Sequence, residues 1–183
     1  MNFIHKIPKA YSKDSCNKLI KWFEKNMDKA KPGKTGDEDE LKNLEIGLEL
    51  KDLEDYFGLG KTLINGLKNF KKTYPLIDRH IKRWRLNPFM QLMKYEPNNY
   101  YHTIHCENDG TEAFFKRVFA FMIFLNDIKK GGGTKFLFQK IIIKPKAGDL
   151  YIWPAYWTHL HQGVNAPKEH KYIITGWVEY ADN

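Results

Sequence analysis

Two short polar segments stand in apolar, β-rich surroundings: His102-Thr103-Ile104-His105-Cys106-Glu107, and His159-Leu160-His161 with Lys171 ten residues beyond it. On an extended strand, side chains at i and i+2 share a face, ~6.5 Å apart along the chain, so His105 and Glu107 can converge on one ion. Two imidazole nitrogens and a carboxylate on one side of a metal make a facial triad, the arrangement that leaves open positions on non-haem iron(II). The third ligand must come from a distant segment. His159 and His161 stand at i and i+2, and either can supply it. Lys171 then offers a cation to an acidic co-substrate beside the ion. Zinc is the competing metal, held by His102, His105, Cys106 and a distal histidine. Structural zinc favours cysteines paired at short spacing, and Cys16 and Cys106 are far apart. His102, at i−3, falls off the face of His105 and reads as a loop or surface residue. Cys106 points away from both ligands and reads as a small core residue.

The elements that must position these groups change character along the chain. Phe3 to Ile7 reads as a short strand. Ser12 is an N-cap for a helix over Lys13 to Lys25, in which Cys16, Leu19, Ile20, Trp22 and Phe23 form the apolar face. Ala30 to Glu40 is a polar loop with a basic half and an acidic half, a solvated segment that can serve as a substrate lid. Leu44 to Leu50 reads as a strand. Lys61 to Tyr74 reads as a helix with Leu63, Ile64, Leu67 and Phe70 on one face, bounded by Pro75, and a shorter helix follows over Ile77 to Ile81. Strands then dominate: Phe89 to Tyr95, Val118 to Leu125, Phe136 to Ile143, Leu150 to Trp153, Tyr156 to His161 and Tyr172 to Glu179, with turns at Pro97-Asn98-Asn99, Gly131-Gly132-Gly133 and Ala147-Gly148-Asp149. Val118 to Leu125 is apolar throughout, hence buried on both faces. Phe119, Phe121, Phe124, Phe136 and Phe138 read as core, and Trp157 stands near enough to the site to line it. Helices first and strands after predict an α+β chain. Its core is a jelly roll with the N-terminal helices packed on one sheet, in a single domain over 1–183: helical support over 1–87, and the site-bearing core over 88–183.

Composition narrows the partners. The chain has 183 residues, 42% hydrophobic and 15% aromatic, enough for a packed core. The formal charge is +8, but only four of the 30 basic residues are arginine (Arg79, Arg83, Arg85, Arg117). Nucleic-acid readers rely on arginine forks and aromatic stacking, so a solvated lysine-rich surface is the simpler reading and nucleic acid is disfavoured as a partner. Two cysteines make no disulfide framework and suit a reducing cytoplasm. Met1 to Lys6 lacks the apolar core of a signal peptide, and Val118 to Leu125 is too short to span a bilayer. A soluble cytoplasmic protein without a membrane partner is expected.

A longer frame carries the two polar segments. It runs Tyr95-Glu96-Pro97, His105-Cys106-Glu107, Leu125-Asn126-Asp127, Gly132-Gly133-Thr134-Lys135-Phe136, Pro145-Lys146-Ala147-Gly148-Asp149-Leu150, Trp153-Pro154, Lys171-Tyr172-Ile173 and Gly176-Trp177. Over Phe89 to Tyr180 it resembles the iron(II)/2-oxoglutarate dioxygenase superfamily, most closely its prolyl 4-hydroxylase-like branch. The resemblance implies a double-stranded β-helix, with iron(II) bound by His105, Glu107 and a distal histidine. It implies 2-oxoglutarate anchored on Lys171, O2 as co-substrate, and ascorbate as a reductant. The reaction implied is hydroxylation of a substrate C–H bond as 2-oxoglutarate is decarboxylated to succinate. Tyr95, Tyr101 and Thr134 lie where such enzymes place hydroxyls near the co-substrate. His161 has the spacing to Lys171 usual in this branch and is the favoured ligand. His159 has the usual spacing from Pro154 and is the alternative. Glu107 replaces the family's usual aspartate, and Asn98-Asn99 replaces a glycine-bearing turn. Asparagine tolerates positive φ, so the turn can survive. A prolyl residue in a peptide or protein is the first substrate implied. A free amino acid or small molecule, nucleic-acid dealkylation, and a non-enzymatic cupin-like metal module are the alternatives. Lys171 argues against the last.

Overall fold

The computed structural model describes residues 1–33, 43–52 and 56–181. Strand β1 (His5–Ile7) leads into helix α1 (Lys13–Lys25), whose first turn is capped by the Ser12 hydroxyl accepting from the Ser15 amide at 3.0 Å. Strands β2 (Lys31–Pro32) and β3 (Leu44–Glu49), then helices α2 (Leu59–Thr73) and α3 (Ile77–His80), complete the N-terminal part. The later strands are β4 (Trp84–Tyr95), β5 (Arg117–Phe124), β6 (Thr134–Phe136), β7 (Ile141–Ile143), β8 (Leu150–Pro154), β9 (His161–Gly163) and β10 (Lys171–Tyr180).

Among the described residues these strands form two sheets. The major sheet has the order β1-β8-β5-β10-β4-β3-β2, and the minor one β7-β6-β9, with every pairing antiparallel. Such facing sheets make the expected double-stranded β-helix. Alternation along each strand divides the side chains between two layers. Leu48 and Leu92, Phe121 and Ile123, Ile152, and Ile174 face the helices, where Leu19 and Phe23 of α1 and Leu63 and Phe70 of α2 close the larger core. The alternate residues, among them Tyr95, Met122, Phe124, Tyr151, Trp153 and Ile173, meet Phe136 and Ile143 of the minor sheet. The helices therefore cover one face of the major sheet and leave the other for a site between the sheets. Both faces of β5 are buried, as its unbroken apolar run requires.

Three strand expectations are corrected. Phe136 to Ile143 is not one strand. The chain reverses after Phe136, with Lys140 at φ 55°, and β6 pairs with β7 as a hairpin. No glycine or proline marks that turn. Tyr156 to His161 is a short 3₁₀ turn over Trp157–His159 followed by β9, because the chain crosses there from the major to the minor sheet. β4 begins at Trp84, before Pro88. A bulge in β4, where Leu86 to Met90 oppose only Val178 to Gly176 of β10, loops out the residues around that proline, which has no amide to offer the ladder. Phe138 is 58% exposed and lies outside the core. Of the polar loop over Ala30 to Glu40, Lys31 and Pro32 pair with β3. Its remaining part, 34–40, where the lid was expected, is outside the described residues. Among the described residues no helix is long and apolar enough to cross a membrane.

Candidate metal and co-substrate site

On the inner face of the major sheet, alternation brings Lys171, Ile173, Thr175 and Trp177 of β10 beside Gln91, Met93 and Tyr95 of β4 and Glu45 of β3. Thr134, His161 and Gly163 face them from the minor sheet. Between the two walls lies a cavity of about 560 Å³.

His105 and Glu107 reach this cavity from the segment between β4 and β5, and not from a shared strand as expected. His105 makes an isolated two-way bridge with His161, its amide donating to the His161 carbonyl at 3.0 Å and its carbonyl accepting from the His161 amide at 2.9 Å. Glu107 is set separately, its amide donating to the Ala155 carbonyl at the end of β8 at 3.0 Å. The side chains converge nonetheless. His105 Nε2 and His161 Nε2 stand 3.6 and 3.4 Å from Glu107 Oε1. One donor atom from each residue lies within 4.8 Å of the other two.

The remaining atoms of the three residues are held in place. His105 Nδ1 donates to the Thr103 carbonyl at 3.0 Å, and His161 Nδ1 to the His159 carbonyl at 2.9 Å. This fixes the tautomer that presents Nε2 to a metal. Glu107 Oε2 accepts from the Trp177 indole at 2.7 Å, with Arg117 at 3.7 Å. The Arg117 guanidinium lies between the rings of Phe114 and Trp177 and donates to the Glu107 carbonyl at 3.2 Å. Burial alone would raise the Glu107 pKa, but the imidazoles of His105 and His161 facing it outweigh burial and hold the carboxyl well below its usual range. Two imidazoles and a carboxylate, each oriented from behind, fit a divalent ion of the non-haem iron type.

At the other end of the cavity Lys171 is 4% exposed, and burial lowers its pKa to about 8. Its ammonium lies 4.1 Å over the Tyr95 ring, and among the described residues no carboxylate pairs with it. Two hydroxyls, one from each wall, have weak acceptors. Tyr95 donates to Met93 Sδ at 3.5 Å and Thr134 to Met122 Sδ at 3.8 Å. Tyr101 lies against His105, ring centroids 4.4 Å apart.

Other sequence expectations fall away from this centre. His159 is buried, but its ring nitrogens meet the Thr158 hydroxyl at 3.0 Å and the Asn2 carbonyl at 2.9 Å, outside the cavity. His102 is exposed. Cys106 is not a core residue: it lines the cavity, half-buried, with its thiol donating to the Asn108 carbonyl. Trp157 does not line the cavity; it is 67% exposed and stacks edge-on against Phe138. The roles of Trp177, Arg117, Glu45 and Gln91 were not anticipated. Alternation from Lys171 would have placed Trp177, and alternation against Ile46 and Leu48 would have placed Glu45.

A family model described as the 2OG-Fe(II) oxygenase superfamily matches residues 90–179. No curated protein matches the sequence. Solved structures with a similar fold include the viral collagen prolyl hydroxylase of Paramecium bursaria Chlorella virus 1 in its 2OG complex. It is 20% identical with a TM-score of 0.74, over 98% of this chain and 97% of that one. A prolyl 4-hydroxylase from Pseudomonas putida is 13% identical with a TM-score of 0.65, over 98% and 94% of the two chains. A Trichoplax adhaerens prolyl hydroxylase, in complex with a hypoxia inducible factor peptide fragment, is 12% identical with a TM-score of 0.72, over 98% and 84%. At these identities the likeness is one of fold.

Proposed function

We propose that this chain is a 2-oxoglutarate-dependent dioxygenase of prolyl 4-hydroxylase-like type, a reading supported by the 2OG-Fe(II) oxygenase family model over residues 90–179 and by the shared fold, and that it hydroxylates a prolyl residue of a peptide or protein, with His105, Glu107 and His161 as the iron ligands and Lys171 as the co-substrate anchor. The observation that carries the reading is the pairing of two unsatisfied halves in one cavity. One half is a His-Glu-His set with its donor atoms turned to a common point. The other is a buried ammonium without a carboxylate partner among the described residues.

Bound iron(II) supplies O2 activation coupled to oxidative decarboxylation of 2-oxoglutarate to succinate and CO2. The protein's own groups do the positioning. His105 and His161 present Nε2 because backbone carbonyls hold Nδ1. Glu107 presents Oε1 because Trp177 holds Oε2. Lys171 meets the far carboxylate of 2-oxoglutarate in a charge-assisted pair, strong in a cavity that excludes water. Tyr95 and Thr134 exchange their sulfur acceptors for that carboxylate, and Tyr101 keeps the His105 ring in place. The substrate enters from the side of Phe114 and Arg117, which line the cavity around the metal set. A peptide substrate is supported by the fold shared with the viral and Trichoplax hydroxylases, and ascorbate serves as the reductant that preserves iron(II).

The test combines iron(II), 2-oxoglutarate and ascorbate with the protein, reads succinate, and then screens proline-containing peptides for a single added oxygen. Wild type releases succinate and His105→Ala does not. An absence of both 2-oxoglutarate binding and turnover would overturn the reading. Iron content separates the two distal histidines: His161→Ala loses iron and His159→Ala retains it, whereas the reverse result would make His159 the ligand.

A further inference from the structure

The cavity wall holds one carboxylate that neither the metal set nor the co-substrate anchor uses. Glu45 projects from β3, where Ile46 and Leu48 turn to the helix-side core and Glu45 turns to the cavity. Two amides hold it. Gln91 Nε2 donates to Oε1 and Asn43 Nδ2 to Oε2, each at 3.2 Å. Asn43 is itself buried and fixed. Its carbonyl accepts from the Gly33 amide at 3.0 Å, and a Cβ on Gly33 would lie 2.2 Å from its side-chain oxygen. The carboxylate is thus positioned in advance by neutral donors, and among the described residues no cation pairs with it.

The other charges of the wall have partners or a proposed one. Glu107 faces the histidines, Arg117 is held between two rings, and Lys171 awaits an anion. Asp109 is closed onto its own loop by the Thr111 amide and hydroxyl. Burial raises the Glu45 pKa, the mark of a carboxylate short of positive charge. Beyond Glu45 the same sheet face continues as an open strip. A Cβ on Gly47 would meet nothing within 4 Å, and Phe89, two residues before Gln91, is 57% exposed. A substrate that enters on the Phe114–Arg117 side and extends its flanking groups along that strip reaches Glu45 from the metal set.

We propose that Glu45 is a specificity-determining residue that selects substrates carrying a cationic group, either a lysine or arginine side chain near the target residue or the α-ammonium of a free amino acid. The proposal rests on the oxygenase reading of the same cavity. Its test uses binding, which does not require turnover. Acetyl-Ala-Pro-Lys-Ala-amide and its Gln and Glu counterparts are titrated calorimetrically into the protein with iron(II) and 2-oxoglutarate, without oxygen. L-Prolinamide is compared with N-acetyl-L-prolinamide in the same way.

The cationic member of a pair binds about tenfold tighter than the neutral one. In Glu45→Gln the ratio falls to near one with the neutral member still bound. In Glu45→Lys the order reverses toward the acidic peptide. A preference confined to the prolinamide pair assigns the cation to an α-ammonium, and one confined to the peptides assigns it to a side chain. Equal binding within both pairs, a preference that survives in Glu45→Gln, or no binding by any probe overturns the proposal. Succinate release by wild type without peptide is read in parallel and reports on the oxygenase reading alone.

Discussion

Lys171 shows how far a single residue can set conflicting demands. Its ammonium is buried without a carboxylate, so the apoprotein carries the cost of a desolvated charge. The folded pKa, about 8, lies below the reference 10.5. Below pH 8 the lysine is charged in both states and the cost is present in full. Between pH 8 and 10.5 the unfolded chain binds more protons, so apoprotein stability rises by on the order of 3 kcal/mol. Lys171→Met should lack this rise when denaturation is followed against pH, and at pH 7 its apo form should be at least as stable as wild type. Its 2-oxoglutarate affinity should nevertheless fall about 30-fold or more, since the anion loses its partner. In wild type that affinity should hold up to about pH 8 and decline above it. Trp177 makes the second residue-scale case. Trp177→Phe leaves Glu107 Oε2 without its donor, and chelator competition should show metal affinity lowered by about 10- to 100-fold. The His105–Glu107 spacing and the distance to Lys171 were legible in the sequence because they are local. Trp177 was not, because its role depends on a neighbour 70 residues away.

At the scale of elements, the minor sheet acts as a clamp on the metal set. β9 carries His161, bridges to His105, and brings Gly163 against Tyr101, whose carbonyl accepts from the Gly163 amide at 2.6 Å. A Cβ on Gly163 would lie 2.9 Å from that carbonyl oxygen. Gly163→Ala should push the segment bearing Tyr101 and His105 away from β9. The expected result is a loss of about 1–3 kcal/mol in chemical denaturation, together with weaker iron binding in the same chelator competition. Normal iron affinity in a destabilised variant would show that the clamp serves the fold alone. The regular strands were readable from alternation and apolar runs, and both long helices from their periodic faces. The β6–β7 hairpin was hidden because an apolar run continues straight through its turn. The extension of β4 past Pro88 was hidden because a proline signals a strand boundary, and the bulge over Asn87–Phe89 that accommodates it shows only against the partner strand β10.

For the whole molecule, the order of elements along the chain indicated helices supporting a jelly roll, and the packing of α1 and α2 on the major sheet agrees. What order alone does not reveal is which strands meet. β1 pairs with β8 across about 150 residues, and β2 and β3 extend the sheet on the opposite side. Those partnerships depend on tertiary packing and leave no local trace. Most consequential is β10, which lies between β4 and β5 although it follows every other described strand in the sequence. During synthesis β4 and β5 leave the ribosome with their shared partner still unmade, and α1 and α2 have no finished sheet to cover. At ~5–20 residues per second, roughly 3–11 s pass between completion of β5 and arrival of Tyr180. Over that interval apolar strands with unpaired edges are the form a chaperone would meet, so the major sheet and the cavity wall it forms close only once Lys171–Tyr180 is available.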